Sequence, residues 1–302
     1  MASEPNRARG QRPQAPPDDL RQVLERDGLV PCDQTWSWLH GGRSNASWRI
    51  SATSGPAMVV KLYGQAGTNP LFPNDPQAEA SALRHLQGSG IAPQYLASWA
   101  SDQGRALIYA MVEGPCWSEA PDAVARLLTR LHRMPPPPGL RQVPDGSAEI
   151  ARDGARILAL CAAGPKRDHL AGLRPVGTAL PASGRRAFLH GDPVPGNLIV
   201  TDRGPVLIDW QCPAQGDPVE DIALFLSPAM QIAYRGRPLS AEETARFLAA
   251  YADPDCTARY RALAPWYHWR MAAYCLWRGG AHDPMERAAL KAELAALSDL
   301  TG

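Results

Sequence analysis

The stretch LHGDPVPGNLIVTDRGPVLIDW, residues 189–210, holds two apolar runs about a DRG turn, preceded by a loop that no repeating structure accepts. Pro193, Pro195 and Gly196 forbid helix and central strand there. Yet the loop carries His190, Asp192 and Asn197, three side chains rich in hydrogen-bonding atoms. The two apolar runs read as a hairpin, and hairpin ends lie close together, so Asn197 and Asp209 can converge on one point. An amide oxygen plus a carboxylate, with room for water, forms a hard-oxygen site suited to Mg²⁺. Asp192, held on the stiff loop beside it, is placed to accept a proton from an incoming hydroxyl. The prolines and glycine keep this loop rigid so that its polar side chains aim into a cleft.

The rest of the chain sets bounds on what that cleft can serve. With 302 residues it is long enough for one large domain or two lobes, and 45% hydrophobic with 20% charged residues is ordinary globular composition. A net charge of +1 gives neither nucleic acid nor an acidic membrane surface an obvious hold. Six scattered cysteines with no CxxC read as reduced thiols in a cytoplasmic protein. No stretch reaches the apolar length of a membrane span, and the first residues, MASEPNRARGQRPQAPPDD, lack a signal-peptide core. Residues 1–17 read as a disordered tail.

From Asp18 the pattern becomes periodic. DDLRQVLERDG predicts a helix behind an aspartate cap. TWSWLH, SWRISAT, AMVVKLY, QYLASWA and RALIYAMV predict strands, with DPQAEASALRHLQGSG as one inserted helix. After Glu113-Gly114 the composition turns helical: PDAVARLLTRLHRM, SAEIARDGARILALCAAG, a weaker DHLAGLRPVGTAL, then PVEDIALFL, SAEETARFLAAYA, TARYRALAPWYHWRMAAYCLWR and MERAALKAELAALSDL. The expected fold is α+β and bilobal, with an N-terminal lobe over 18–113, a larger helical lobe over 114–302 and a cleft at the crossover.

LHGDPVPGNLIV, VLIDW and GDPVEDIA in this order resemble the signature of the aminoglycoside phosphotransferase and choline kinase family, whose fold is protein-kinase-like. The match runs from about Gly41 to Asp221. The resemblance implies an ATP- and Mg²⁺-dependent transfer of phosphate to a small-molecule hydroxyl. It makes Asp192 the base, and Asn197 and Asp209 the metal ligands. It gives Asp221 and Asp217 of GDPVEDIA a structural role, and His190 a place supporting the loop from behind, beside the plain reading of a core histidine.

On the nucleotide side, GGRSNAS resembles the family's phosphate-covering loop and nominates Gly41, Gly42, Ser44 and Asn45. Lys61 is one of only three lysines, and it falls inside the apolar run MVVKLY, where a surface role is hard to defend. A compact ammonium suits phosphate oxygens, and Glu79 on the next helix is its natural partner. IYAMVEG resembles the hinge, with the backbone of Ala110 to Val112 on adenine and Tyr109 at the back of the pocket.

Only seven residues separate Asp209 from Asp217, too few for a peptide-docking activation loop, which favours a small acceptor over a protein. Trp266, Trp269, Tyr274 and Trp277 fall at offsets 0, 3, 8 and 11, one face of a helix. Two readings stay open for this stripe: a box for an ammonium group, or core packing. The sequence leans to an amino alcohol or similar metabolite of the choline, ethanolamine or thiamine kind. An aminoglycoside acceptor is the alternative, and a regulatory pseudokinase a further one. Protein partners are not legible.

Overall fold

The computed structural model describes residues 15–32, 34–40, 44–51, 55–64, 69–102, 104–279 and 283–301. Most of the sequence-read tail, and both Gly41 and Gly42, lie outside them. The chain opens with helix α1 (Asp18–Arg26) and strands β1 (Thr35–Trp38), β2 (Asn45–Ser51) and β3 (Met58–Tyr63). Helix α2 (Pro76–His85) follows, then β4 (Tyr95–Ser101) and β5 (Gly104–Ala110). The five strands form one antiparallel sheet in the order β1-β2-β3-β5-β4.

Alternation along β3 decides which side chain meets which face. Val60 turns to a core of Trp48, Ile50, Ala106 and Ile108, which Leu20 and Leu24 of α1 cover. Lys61 lies on the opposite face, toward α2. Asp75 starts α2 by accepting the Gln77 and Ala78 N–H groups at 2.9 and 3.0 Å, and Pro76 occupies the position where no donor is needed. At α1 the expected aspartate cap is absent. Pro17 holds that place, and Asp18 and Asp19 sit in the first turn, where they complement the helix dipole.

The C-terminal part is helical, as its composition predicts: α3 (Pro121–His132), α4 (Ser147–Ala159), α5 (Pro165–Gly172), α6 (Val219–Leu226), α7 (Pro228–Arg235), α8 (Ala241–Ala250), α9 (Pro254–Trp277) and α10 (Pro284–Thr301). Helix α7 falls in a stretch the periodicity left unassigned. Proline, methionine and glutamine blur its apolar face, and Ser227 caps it through the Met230 N–H. Short strands β6 (Arg141–Gln142), β7 (Ala187–Leu189) and β10 (Ala214–Gly216) form a small second sheet in the order β6-β10-β7. Strands of two or three residues are too short to show a period.

The decisive hairpin is β8 (Leu198–Thr201) with β9 (Gly204–Leu207). The chain between the two parts lies directly on it. Val200 N–H donates to Pro115 O at 2.9 Å, and Trp117 N–H donates to Leu198 O at 2.8 Å. The crossover and the hairpin are therefore hydrogen-bonded to each other.

Candidate active site

His190 and Gly191 leave β7 and enter the loop with their N–H groups held by one carboxylate. Asp221, fully buried on α6, accepts both, at 2.8 and 2.9 Å. It also accepts from His132 Nε2 at 3.1 Å. Burial alone would raise its pKa, but His132, His190 and the Gly191 N–H outweigh that and hold the carboxyl below its usual value. Gly191 has φ +80°, and a β-carbon there would meet Cys212 O at 2.1 Å, so only glycine fits.

The His190 ring ties the loop to the strand end. Its Nδ1 accepts the Asp192 N–H at 3.2 Å, and its Nε2 lies 3.1 Å from the Ile208 carbonyl. One acceptor and one donor describe a neutral imidazole, and burial lowers its pKa in the same direction. The position expected from sequence, behind the loop, is where the ring sits.

A 3₁₀ turn, Pro195–Asn197, then delivers Asn197 to the foot of the hairpin. Asn197 Nδ2 donates to Asp192 O at 2.9 Å and to Asp192 Oδ2 at 3.1 Å. Its own carbonyl accepts the Ile208 N–H at 2.9 Å. The hairpin does bring Asn197 next to the residue before Asp209. Asp209 itself has φ +60°, an uncommon conformation for a non-glycine residue, and it turns its carboxylate out of the strand line.

Across the cleft, Lys61 Nζ lies 2.6 Å from Glu79 Oε2 and 2.5 Å from Asp209 Oδ1. Burial pulls the Lys61 pKa down, but Asp209 and Glu79 more than offset it, so the ammonium stays charged. Burial raises the Glu79 carboxyl, with Lys61 opposing. Tyr63 also donates to Glu79 Oε2. Tyr63 was not singled out from sequence, although it stands two residues after Lys61 and so shares its face of β3.

With Nδ2 spent on Asp192, Asn197 has its amide oxygen to offer. With Oδ1 on Lys61, Asp209 has Oδ2. Two hard oxygens fit Mg²⁺, an ion that keeps water and substrate phosphates in its remaining positions. Among the described residues no group of three or more His, Cys, Asp or Glu side chains gathers as a metal site.

Several candidates sit differently from expectation. Asn45 is buried, and its amide is taken up by Asn74 and Gln211, at 2.9 and 3.1 Å from Nδ2. Ser44 stands beside it at the strand start, partly exposed. In the hinge, the Ala110 N–H donates to Gln94 O and the Met111 N–H to Ala57 O, because the sheet continues past the strand end. Of the Ala110–Val112 backbone expected on adenine, the Ala110 and Met111 N–H groups are thus engaged within the sheet. Tyr109 is half-buried, close to the Lys61, Glu79 and Asp209 charges. Asp217 receives Arg259 Nε at 2.5 Å and the Val219 N–H at 3.1 Å, a structural tie.

The aromatic stripe does not survive as one wall. Trp269 is 1% exposed, donates to Leu170 O and lies over Gly154, so it belongs to the core. Tyr274, also buried, receives Asn69 Nδ2 at 2.9 Å and stacks on Trp277. Trp266 packs against a different core cluster. Along 24 residues, helix α9 is surrounded on several sides, and a one-face projection cannot show that.

Residues 35–266 match the model of the phosphotransferase enzyme family. This chain belongs to that family. It is a small-molecule phosphotransferase that acts on a hydroxyl. Among solved structures, a choline/ethanolamine kinase family protein from Mesorhizobium loti matches with TM-score 0.62 at 17% identity, over 94% of each chain. A choline kinase from Streptococcus pneumoniae gives 0.59 at 17%, over 93% of this chain and 98% of that one. A spectinomycin phosphotransferase, solved with ADP and spectinomycin, gives 0.58 at 13%, over 93% of each. At these identities the likeness is one of fold. No curated protein matches the chain. Among the described residues no helix is long and apolar enough to cross a membrane.

Proposed function

We propose that this phosphotransferase moves the γ-phosphoryl group of ATP to the hydroxyl of a small amino alcohol or similar metabolite, with Asp192 as the base. One observation carries the reading. A continuous set of hydrogen bonds runs from Glu79 through Lys61 to Asp209, and a second joins Asp192 to Asn197 and Asn197 to Ile208. The two sets meet at Ile208–Asp209. Phosphoryl transfer asks the protein mainly for positioning and charge stabilisation, which these two sets can supply.

In this reading Lys61 holds phosphate oxygens and Glu79 holds Lys61, while the Val112 N–H meets the adenine edge. Asn197 Oδ1 and Asp209 Oδ2 would hold Mg²⁺, which supplies charge neutralisation on the phosphates. Asp192 orients and deprotonates the acceptor hydroxyl, and Asn197 Nδ2 keeps its carboxylate turned to that task. The lobes are taken as 18–113 and 114–302. Six unpaired thiols accord with a reducing cytoplasm.

An aminoglycoside is the second reading, and the charge map disfavours it. A polycation wants unpaired carboxylates, but the inward acids are matched to arginines: Asp145 and Asp217 with Arg259, Glu220 with Arg270, Glu286 with Arg278. A pseudokinase is disfavoured by the presence of Lys61, Asp192, Asn197 and Asp209 together. The test is Mg²⁺-dependent ADP release across choline, ethanolamine, thiamine, simple sugars and aminoglycosides, repeated with Asp192→Asn. The reading expects one acceptor to stimulate release and the variant to abolish it with nucleotide affinity retained. Wild-type turnover by the variant would remove Asp192 from the role of base.

A further inference from the structure

Behind the catalytic loop the described residues line a second, open cavity of about 470 Å³. Its walls are the C-terminal turn of α3, the segment entering β7, and the α8–α9 connection. Lys61, Asp192, Asn197 and Asp209 do not line it. Its floor includes His132, whose Nε2 donates to Asp221, the carboxylate that holds the catalytic loop.

The charges around this cavity are one-sided. Arg133, Arg185 and Arg186 line it against the single carboxylate of Asp253. Asp253 is ion-paired with Arg185 at 2.6 Å. Arg133 gives one hydrogen bond to Ala252 O, and Arg186 gives two to the single Gln215 Oε1 atom. A guanidinium carries five donors, so each fork keeps several for a ligand. Three guanidiniums against one carboxylate leave two positive charges to be met. A phosphate monoester, at roughly −1.5 to −2 near neutral pH, meets both, whereas a single carboxylate meets one. Guanidinium forks also match phosphate oxygens in geometry.

The volume says what else the ligand carries. Small-molecule sites span about 300–1,000 Å³, much more than a bare phosphate fills. The side chains of Met134, Pro135, Ala187 and Pro218 give part of the lining an apolar character. From these observations we infer that the cavity is a binding site for a small organic phosphate, its phosphate on the three arginines and its body against those apolar residues. The inference does not rest on the choice of acceptor.

Arg133 and Arg186 are exposed, so removing their charge should leave the fold intact. The experiment is calorimetric titration of the full chain with phenyl phosphate, the catalytic cleft being saturated with a non-hydrolysable ATP analogue and Mg²⁺. The expected result is one site per chain, weakened at least about tenfold by Arg133→Gln and by Arg186→Gln, each losing a charge-assisted contact. Both variants should melt at the wild-type temperature without ligand. Asp192→Asn should bind phenyl phosphate as the wild type does. Absence of heat with the cleft saturated would overturn the site, as would binding indifferent to both arginine variants. Inorganic phosphate binding as tightly as phenyl phosphate would overturn the organic assignment, because the apolar walls would then contribute nothing.

Discussion

Asn45 and Gln211 join the two lobes through a buried side-chain hydrogen bond of 3.1 Å. Gln211 stands two residues after Asp209, and its carbonyl also accepts the Asp75 N–H that begins α2. One residue of the larger lobe therefore fixes both the start of β2 and the start of the helix that carries Glu79. Gln211→Ala keeps the backbone contact and the Asn45–Asn74 pair but leaves a buried amide short of one partner, at a cost of about 1–3 kcal/mol. Nucleotide KM should rise several-fold, with kcat changed less. Steady-state kinetics in varied ATP checks this, and an unchanged KM would make the contact incidental.

Asn197 and Asp209 should separate by the parameter they affect. Asp209 contributes a charged oxygen and also holds Lys61, so Asp209→Ala should chiefly weaken Mg²⁺-dependent nucleotide binding. Asn197 additionally holds Asp192 Oδ2, so Asn197→Ala should lower kcat more than it raises the ATP KM. Asn197→Asp would set a second carboxylate against the first and raise the pKa governing kcat. Calorimetry with Mg²⁺–ATP and a pH–rate profile distinguish the three. Equal small effects of the two alanine variants would point to a different metal site.

The sequence made the hairpin foot legible because prolines, glycines and polar side chains rarely share a strand end without cause. Lys61 and Glu79 were legible for a similar reason: a lysine inside MVVKLY is buried, and a buried ammonium needs a carboxylate. What stayed hidden depends on distance along the chain. Gln211 meets Asn45 across 166 residues, and His132 meets Asp221 across 89, without any local pattern to announce either. The stripe on α9 left two readings open because four aromatics at helical spacing mark a single face only when the helix has one buried side.

The α9 aromatics offer a clean contrast. Trp269 fills the core between Gly154 and Leu170, and Trp269→Leu should open a cavity and destabilise, though by less than the about 3–5 kcal/mol of a tryptophan-to-alanine truncation. Trp277 is partly buried and rests on the Tyr274 ring at 5.6 Å, so Trp277→Leu should cost less. Thermal melting orders the two. If Trp277→Leu spared stability but raised the KM of the cognate acceptor, the ammonium-box reading would return for that ring alone.

The last prediction concerns acid. Glu243 accepts Arg235 Nη2 at 2.5 Å, Arg237 Nη1 at 3.0 Å and the Ser240 N–H at 2.8 Å, while Ser240 Oγ accepts the Glu243 N–H. This reciprocal box starts α8, and its partners, Arg235 first, push the Glu243 pKa down to about 2 from 4.5. A carboxyl with a depressed folded pKa stabilises above its unfolded value, and the contribution fades as pH falls through the folded value. Arg235 also lies over the Trp117 ring, so α8 is tied through it to the crossover between lobes. Glu243→Gln keeps an amide oxygen for the Ser240 N–H but loses the charge that Arg235 and Arg237 meet, so it should lower the melting temperature by a few degrees at neutral pH. That gap should hold down to about pH 5 and close as the wild type is taken toward pH 2. Melting both proteins across that range checks the sign. A gap that widens in acid would mean the carboxylate is not what holds the start of α8.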